Sequence, residues 1–244
     1  MEVKKRKNIK NVEIYRIYLL LLDKYGYQNW WPIVQNEKCL YLQEYGARER
    51  TPEEIEEIMI GAILTQNTAW ENVRRAIVNL KKHNMIRWKN LLKADTSQLS
   101  DLIRSSGYYK QKAKKLKKLA EFISEELKGD ILLLKRYSLQ EARKKLLSLW
   151  GVGPETADSI LLYGYYFKTF VVDAYTKRIF SRIGLINLND DYNKVKGFFE
   201  KNLPEDRIVF QEYHALIVEF GKKICRNSPM CGECFLKSVC KNAK

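Results

Sequence analysis

The cysteines of this chain are concentrated at one end. Four of the five lie among the last twenty residues, as Cys225, Cys231, Cys234 and Cys240, and the fifth, Cys39, lies far upstream. Thiolates at a C-x5-C-x2-C-x5-C spacing repel one another and oxidise readily unless a soft cation or an iron–sulfur core binds them. One local cluster at the end of a large basic chain favours a metal in a reducing compartment over disulfide bonds. The spacing therefore predicts one metal centre with these four ligands.

A glycine-rich segment runs from Leu149 to Ala157 between two predicted helices. Gly151 and Gly153 permit positive φ and close backbone approach, and Pro154 is suited to the first position of the next helix. The segment, with Val152 at its centre, predicts a tight hairpin whose backbone N–H groups bind phosphate at a helix N-terminus. An ordinary helix–helix turn that needs glycine explains the same pattern equally well.

A single carboxylate follows a short apolar run, in the order Val171, Val172, Asp173. As the N-cap of a predicted helix, Asp173 would accept backbone N–H bonds and stabilise that helix by about 1 kcal/mol. The same bonds would keep the carboxylate ionised, so that it could also stabilise a developing cation. The two roles are compatible, and the residues alone favour the N-cap.

The elements that must position these groups are predicted to be helical. Apolar residues recur mostly at three- and four-residue steps, and no segment shows convincing strand alternation, so the sequence predicts an all-α fold. Thr51, Pro52 and Glu54 form a strong helix start with a capping box. Further helices are predicted at residues 13–25, 69–81, 95–105, 111–128, 139–149, 154–163, 174–183, 193–202 and 211–223. Residues 26–50 are predicted to be a long loop.

The charge of the chain indicates its partner. Lysine and arginine number 44 against 29 acidic residues, which gives a formal net charge of +15. Such an excess attracts a polyanion, and nucleic acid is the expected one. The most apolar stretch, Ile17 to Leu22, is too short to span a bilayer, and no signal-peptide cleavage pattern adjoins the basic N-terminus. We expect a cytoplasmic, nucleoid-associated monomer with no membrane partner.

The order of these motifs is more specific than any one of them. A Gly-Val-Gly hairpin, an aspartate about twenty residues later and a C-terminal four-cysteine cluster resemble the helix-hairpin-helix (HhH-GPD) DNA glycosylases of the endonuclease III superfamily. The resemblance covers about residues 51–240 and implies that Cys225, Cys231, Cys234 and Cys240 hold a [4Fe–4S] cluster. The first cysteine gap is five residues, whereas the better-known endonuclease III pattern has six. Zinc is therefore kept as the alternative metal.

By the same resemblance, Asp173 assists cleavage of the N-glycosidic bond. A fixed carboxylate beside an oxocarbenium-like sugar has the chemistry for this step, since it can stabilise the cation and orient water. Bifunctional relatives carry a lysine two residues beyond the second hairpin glycine, where it forms a Schiff base. Here that position is Glu155. A carboxylate forms no imine, so the resemblance implies a monofunctional glycosylase, with Glu155 as a second candidate catalytic residue.

A finer resemblance is to the endonuclease III-related 3-methyladenine DNA glycosylases. It rests on Trp30-Trp31-Pro32, on residues 65–70, on residues 107–113 and on Glu155. It implies that Trp30, Trp31 and Pro32 line the base pocket and that Trp70 stacks on the extruded base. An aromatic face suits a cationic alkylated purine through cation–π attraction of about 1–2 kcal/mol. These tryptophans could equally be core residues.

Enzymes that act on a base within double-stranded DNA must flip that base and fill the gap. By resemblance, Gln66, which shares a predicted turn with Asn67, enters the vacated space, and Tyr108 wedges the opposite strand. Gly151, Val152 and Gly153 complete the predicted DNA contacts. His83 and His214 show no spacing that demands a catalytic role, so both are interpreted as structural.

The sequence therefore predicts a two-lobed, all-α glycosylase with a C-terminal iron–sulfur cluster loop. One lobe is expected at residues 51–166 and the other at residues 1–50 plus 167–244, with a cleft that holds one flipped nucleotide of damaged double-stranded DNA. Three alternatives stay open. They are a mismatch or oxidised-base glycosylase, a bifunctional glycosylase and lyase that uses another lysine, and a non-catalytic protein that binds damaged DNA.

Overall fold

The computed structural model describes residues 2–41 and 48–243, with side chains from residue 13 onward. In those ranges the chain is mainly helical, with one short β-hairpin. In chain order the elements are α1 (Glu2–Tyr25), β1 (Ile33–Gln35), β2 (Lys38–Leu40), α2 (Pro52–Leu64), α3 (Trp70–Lys82), α4 (Trp88–Lys93), α5 (Thr96–Leu102), α6 (Tyr109–Glu125), α7 (Leu139–Leu147), α8 (Pro154–Ser159), α9 (Ala174–Ile183), α10 (Tyr192–Asn202) and α11 (Arg207–Lys223). None of the helices in these ranges has the length and apolar character to cross a membrane.

The described residues pack as two compact units. The first unit contains residues up to Trp30 and from Lys168 onward, and the second contains Trp31–Phe167. The sequence analysis instead placed residues 31–50 with the first unit. The described part of that segment packs in the second unit because β1 contacts α2 and α3.

The first unit is organised around α11. This helix is apolar on most of its faces and buries most of its residues, which is typical of a helix enclosed by others. Its core is aromatic: the rings of Phe170 and Phe199 stack with centroids 4.2 Å apart, and Phe180 meets Phe199 edge to face at 4.8 Å. α11 also contacts α1 and α9, so it joins the first helix of the chain to the helix that Asp173 caps.

The second unit is organised around α2. Thr51 caps this helix, and the predicted capping box with Glu54 is present. Every residue from Ile55 to Leu64 is buried, which makes α2 the central helix of this unit. α3, α6 and the segment after α8 contact it.

Three features differ from the sequence-based expectation. Residues 26–50 contain the antiparallel hairpin β1–β2, in which Val34 pairs with Cys39. Its turn residues Asn36 and Glu37 both have positive φ, as a two-residue hairpin turn requires, but without the glycine that usually signals one. Beyond α8, residues Ile160–Gly164 form a π-helical turn. The short helix α4 was not predicted. The all-α expectation is thus correct for the scaffold but wrong for this hairpin.

Candidate active site

Asp173 is the N-cap residue of α9, as the sequence predicted. Its Oδ1 accepts hydrogen bonds from the backbone N–H of Thr176 at 2.7 Å and from the Thr176 hydroxyl at 2.8 Å. The buried residues Val171 and Val172 precede it, and Asp173 itself is only 9% exposed. The second oxygen, Oδ2, takes no part in this cap.

His214 of α11 lies beside that second oxygen. Its Nε2 is 3.8 Å from Asp173 Oδ2, and its ring meets the Trp30 ring edge to face with centroids 5.8 Å apart. His214 is buried, and burial lowers the pKa of its imidazole, with the Lys222 ammonium acting in the same direction and Asp173 opposing them. The imidazole is therefore neutral at pH 7. The contact was not anticipated, because the two residues are far apart in sequence and no spacing links them.

The Trp30 ring is held from the same helix. Lys222 Nζ lies 5.9 Å from its centroid. The backbone that leads to Trp30 is fixed by Glu212, whose Oε2 accepts from the Gln28 N–H at 2.6 Å and whose Oε1 accepts from the Asn29 N–H at 2.8 Å. α11 thus holds the backbone that leads to Trp30 and places His214 beside the carboxylate of Asp173, all within the first unit.

The other predicted pocket residues belong to the second unit. Trp31 is 5% exposed, and its ring lies 5.4 Å from Trp70, edge to face, and 5.5 Å from Tyr163. Pro32 is buried beside it in the chain. Trp70 is half-buried at the start of α3, and its indole N–H donates to Cys39 Sγ at 3.3 Å. Of these residues, Trp70 has the exposed surface that a flipped base would need, while Trp31 supports it from the core.

The glycine hairpin is present between α7 and α8. Gly151 has a φ of +83°, and a Cβ at this position would lie 2.4 Å from Lys115 Cε, so only glycine fits. The Val152 N–H donates to Leu149 O at 3.1 Å, and the Val152 side chain is buried. The turn thus uses the Val152 N–H internally, and the predicted DNA contact of Val152 stays a prediction. Gly151 and Gly153 remain as the candidate phosphate donors of the hairpin.

Gln66 is bound to the same hairpin. Its amide nitrogen donates to Gly151 O and to Thr156 Oγ1, both at 3.0 Å, and its amide oxygen accepts from Lys115 Nζ at 2.5 Å. We name these four residues the Gln66 clamp. The neighbouring Asn67 is exposed and has a φ of +54°. The turn after α2 thus carries one clamped polar side chain and one exposed polar side chain.

Tyr108 is the most exposed large apolar side chain in the described ranges, at 73%. It follows Gly107, and both residues have positive φ, an uncommon conformation for tyrosine. Behind this turn, the buried Lys112 donates through Nζ to Ser106 O at 2.6 Å and to Leu64 O at 2.8 Å. Lys112 therefore fixes the Tyr108 turn to the end of α2, next to Gln66.

The four C-terminal cysteines line one cavity of the first unit. Its volume is about 120 Å³, and Ile179, Phe220 and Leu236 line its apolar part. The thiols are unpaired and half-buried. Within the described ranges, no three cysteine, histidine or acidic side chains are close enough together to hold a single metal ion. Four thiols spread around a shared cavity suit a larger inorganic core better than one ion, which needs Zn–S distances of about 2.3 Å.

Glu155 lies in the first turn of α8 and is exposed. The structure brings together Asp173 and Trp30, through His214, in the first unit. In the second unit it brings together Gln66 and the glycine hairpin, and it pairs Trp31 with Trp70. His214, interpreted from the sequence as structural, is the residue that lies between Asp173 and Trp30.

Comparison with known proteins agrees with this arrangement. A sequence profile described as "HhH-GPD superfamily base excision DNA repair protein" matches residues 60–205. A protein of Methanocaldococcus jannaschii, named among the DNA repair glycosylases, is 46% identical over 236 residues, which cover 93% of this chain and 95% of the relative. Endonuclease III of Thermotoga maritima is 32% identical over 185 residues, covering 75% of this chain and 81% of the relative.

Among solved structures, the H. pylori 3-methyladenine DNA glycosylase bound to 1,N6-ethenoadenine matches with a TM-score of 0.68 and 28% sequence identity. The match covers 87% of this chain and 97% of that chain. Both the sequence and the backbone are therefore similar to repair enzymes along most of their length.

Proposed function

Because the chain belongs to the HhH-GPD superfamily of base excision DNA repair proteins, among the relatives of endonuclease III, we propose that it is a monofunctional DNA glycosylase for alkylated purines. It hydrolyses the N-glycosidic bond of one damaged base in double-stranded DNA and leaves an abasic site. The base is an adenine or guanine with an added alkyl group, such as 3-methyladenine.

The geometry of Asp173 is the observation that carries this proposal. Oδ1 accepts two hydrogen bonds from Thr176, so the carboxylate is held in place, while Oδ2 takes no part in the cap and is the oxygen proposed to act on the sugar. Departure of a base leaves positive charge on the sugar, and a buried carboxylate stabilises that charge more strongly than one in water. The same oxygen can orient the water that completes hydrolysis.

Glu155 supports the absence of a lyase step. Strand cleavage by bifunctional relatives needs an amine that forms an imine with the sugar, and a carboxylate at the corresponding position has none to offer. Its exposed place at the start of α8, where the helix dipole favours negative charge, suits an ionised side chain that helps to position water.

Aromatic side chains support the substrate class. The half-buried Trp70 and Trp30 offer indole surfaces on which a purine can stack, and such surfaces attract a cationic base more strongly than a neutral one. Trp31 and Pro32 support Trp70 from the core of the second unit. The H. pylori relative was solved with a modified adenine, which favours a purine as the substrate here.

Damaged double-stranded DNA is the proposed partner. The excess of 15 positive charges supplies sequence-independent attraction to phosphate. Gly151 and Gly153 would donate to one phosphate, and Tyr108 has the exposure of a residue that separates bases. Gln66 and Asn67 lie on the turn proposed to fill the space that the flipped base leaves.

The cysteine cavity fits a [4Fe–4S] cluster. Cys225, Cys231, Cys234 and Cys240 would each bind one iron, in a half-buried site of apolar and basic lining. Arg182 supports the loop, since its guanidinium donates to Asn227 O at 2.9 Å. Elemental analysis tests this proposal: iron and acid-labile sulfide in near-equal amounts are expected, whereas one zinc per chain would contradict the cluster and leave the glycosylase unaffected.

An excision assay tests the function. Duplexes that contain 3-methyladenine, 7-methylguanine, hypoxanthine, uracil or a thymine mismatch are incubated with the wild-type chain and with Asp173→Asn. We expect the alkylated purines to be released fastest and Asp173→Asn to lower that rate by at least about a hundredfold while duplex affinity holds or rises. Asn is as good an N-cap as Asp, so the helix should remain intact.

Asp191→Asn is the matched control, because Asp191 caps α10 in the same way but is exposed. It should leave the excision rate unchanged. Faster release of uracil or mismatched thymine would overturn the substrate class. Unaltered excision by Asp173→Asn would overturn the catalytic assignment, and duplex binding without any excision would favour the non-catalytic alternative.

Borohydride trapping separates the monofunctional from the bifunctional reaction. The wild-type chain should give no covalent adduct with lesion-containing DNA, since no imine forms. Glu155→Lys supplies an amine at the corresponding position, and we expect it to yield a trapped adduct. Trapping by the wild-type chain itself would show that another lysine acts as the nucleophile.

A further inference from the structure

The two oxygens of Asp173 are in different environments. Oδ1 accepts two hydrogen bonds from Thr176, at 2.7 and 2.8 Å, which is what one carboxylate oxygen ordinarily accommodates. Oδ2 faces Nε2 of His214 at 3.8 Å. The cap therefore holds the carboxylate at Oδ1, while Oδ2 has the imidazole as a neighbour beyond hydrogen-bond distance.

His214 also contacts Trp30, which makes it the link between two proposed site residues. The ring centroids are 5.8 Å apart with an interplanar angle of 81°, so the edge of one ring meets the face of the other. Such contacts favour a fixed relative orientation of the two rings. A base that stacks on Trp30 and displaces its ring would therefore shift the imidazole of His214 as well. That shift would change the position of Nε2 relative to Oδ2 of Asp173.

We propose that His214 is a positioning residue for base excision: its imidazole orients Oδ2 of Asp173 and couples that orientation to the stacking of the base on Trp30. The inference rests on the proposed function, but it concerns a residue that the function alone does not require. His214 Nε2 carries the proton that points to Oδ2, and the separation shortens to a hydrogen bond when substrate displaces water from the site.

The local chemistry favours this role over simple packing. A buried imidazole costs free energy unless its nitrogens have polar partners, and a phenyl ring would meet Trp30 equally well without that cost. The charged groups that act on His214 are Asp173 from α9 and Lys222 from its own helix. Of these two groups, the carboxylate of Asp173 attracts a ring nitrogen that carries a proton, whereas the Lys222 ammonium repels it.

Nitrogen NMR of the imidazoles tests the contact without any substrate. The chain has two histidines, and the exposed His83 of the second unit serves as an internal reference. Asp173→Asn removes the carboxylate that raises the pKa of His214, so we expect the pKa of His214 to fall further while the nitrogen chemical shifts of His83 at a fixed pH stay the same. Asp191→Asn should leave the NMR signals of both histidines unchanged. A His214 titration that Asp173→Asn leaves in place would overturn the inference.

Two substitutions at His214 then separate its two contacts. His214→Phe keeps a ring edge against Trp30 and removes the nitrogen, whereas His214→Gln places an amide N–H near the position of Nε2 and removes the ring. We expect His214→Phe to lower the single-turnover excision rate by about 10- to 100-fold, as a displaced catalytic group does. His214→Gln should lower the rate clearly less, because it keeps an N–H near Oδ2 and loses only the ring contact with Trp30. Both variants should bind a duplex with an abasic-site analogue as the wild type does.

The outcomes distinguish this inference from the proposed function. If the wild type excises no base, the proposed function fails, and the NMR titration alone decides whether His214 and Asp173 interact. If the wild type excises bases and His214→Phe, folded with an unchanged melting temperature, is as fast as the wild type, then His214 only packs and the inference is wrong. Equal losses in the Phe and Gln variants would likewise contradict an N–H-dependent role.

Discussion

At the scale of single residues, the two carboxylate oxygens of Asp173 make different contacts. One carboxylate oxygen stabilises α9, and the other faces His214 and the space proposed for the sugar. This arrangement explains how a residue can serve the fold and the reaction together. It also means that neutral Asn is the informative replacement, because a larger or apolar residue would remove the cap along with the charge.

A second buried carboxylate, Glu212, has a purely structural task. It accepts the N–H groups of Gln28 and Asn29, and burial raises its pKa to about 7, from an ordinary value of 4.5. Between these two pH values the folded state holds a proton that the unfolded state has released. The contribution of Glu212 to stability is therefore largest below pH 4.5 and is lost as the pH rises through about 7.

We predict that Glu212→Gln, which cannot ionise, flattens the pH dependence of stability in this window. The measurement is the free energy of unfolding by denaturant at several pH values from 4.5 to 8 for both proteins. The wild type should lose more stability across that range than the variant does. Parallel curves would show that Glu212 titrates alike in the folded and unfolded states.

Residue types predicted some site residues better than others. Asp173, Glu155 and the four cysteines could be named because their chemistry and order along the chain are distinctive. His214 could not, because it lies in α11, where nearly every face is buried, and a lone histidine there has no spacing that indicates a partner. The hydrogen bond from the Val152 N–H to Leu149 O could not be predicted either, because a turn's internal hydrogen bond is not visible in its sequence.

At the scale of elements, Lys112 holds together two turns that are proposed to meet DNA. Its ammonium donates to Leu64 O at the end of α2 and to Ser106 O before Tyr108, and burial lowers its pKa to about 8. We predict that Lys112→Met lowers the free energy of unfolding at pH 7 by about 2 kcal/mol, because two carbonyl groups lose their partner. Denaturant unfolding measures this change.

Lys110→Met is the control for that substitution, since Lys110 is an exposed lysine of the same helix. It should change stability by less than about 0.5 kcal/mol. If Lys112→Met were as stable as this control, the cost of burying the ammonium would cancel its hydrogen bonds, and Lys112 would not be what secures the Tyr108 turn.

The Gln66 clamp connects two further elements, the turn after α2 and the glycine hairpin. Lys115 donates to the Gln66 amide, which in turn donates to Gly151 O. In a double-mutant cycle, Lys115→Met and Gln66→Leu should therefore show a coupling of about 1 kcal/mol in the free energy of unfolding. Lys114→Met, on the exposed side of α6, should be additive with Gln66→Leu. If both lysine substitutions were additive with Gln66→Leu in the free energy of unfolding, the result would contradict the Gln66 clamp.

Helix positions were predictable because caps and apolar periodicity act locally. The capping box of Thr51 and Glu54 predicted the start of α2. The bounds of α9 agree with the prediction at both ends. The β1–β2 hairpin was missed because each strand has three residues and its turn uses Asn36 and Glu37 in place of glycine. Such a short hairpin is stable only through its neighbours, here Glu57, whose carboxylate accepts the Val34 N–H at 2.5 Å.

At the scale of the whole molecule, charge governs association with DNA. The formal net charge of +15 predicts that affinity for undamaged duplex falls steeply with salt, in a linear log–log relation whose slope is about −0.9 per phosphate contacted. Fluorescence anisotropy from about 50 to 200 mM salt measures it. Asp173→Asn should leave the slope unaltered, since it adds no phosphate contact. A salt-independent affinity would contradict an electrostatic interface.

The first unit contains one helix that is attached at both ends to proposed functional groups. Asp173 caps the start of α9, while Arg178 and Arg182 of the same helix donate to backbone carbonyls of Cys225 and Asn227 in the cysteine loop. If the four cysteines hold the proposed iron–sulfur cluster, damage to that cluster by air or peroxide would therefore also disturb α9 and Asp173. A preparation that bleaches on storage should then lose turnover in step with its colour, even though the proposed reaction uses no thiol to break the glycosidic bond.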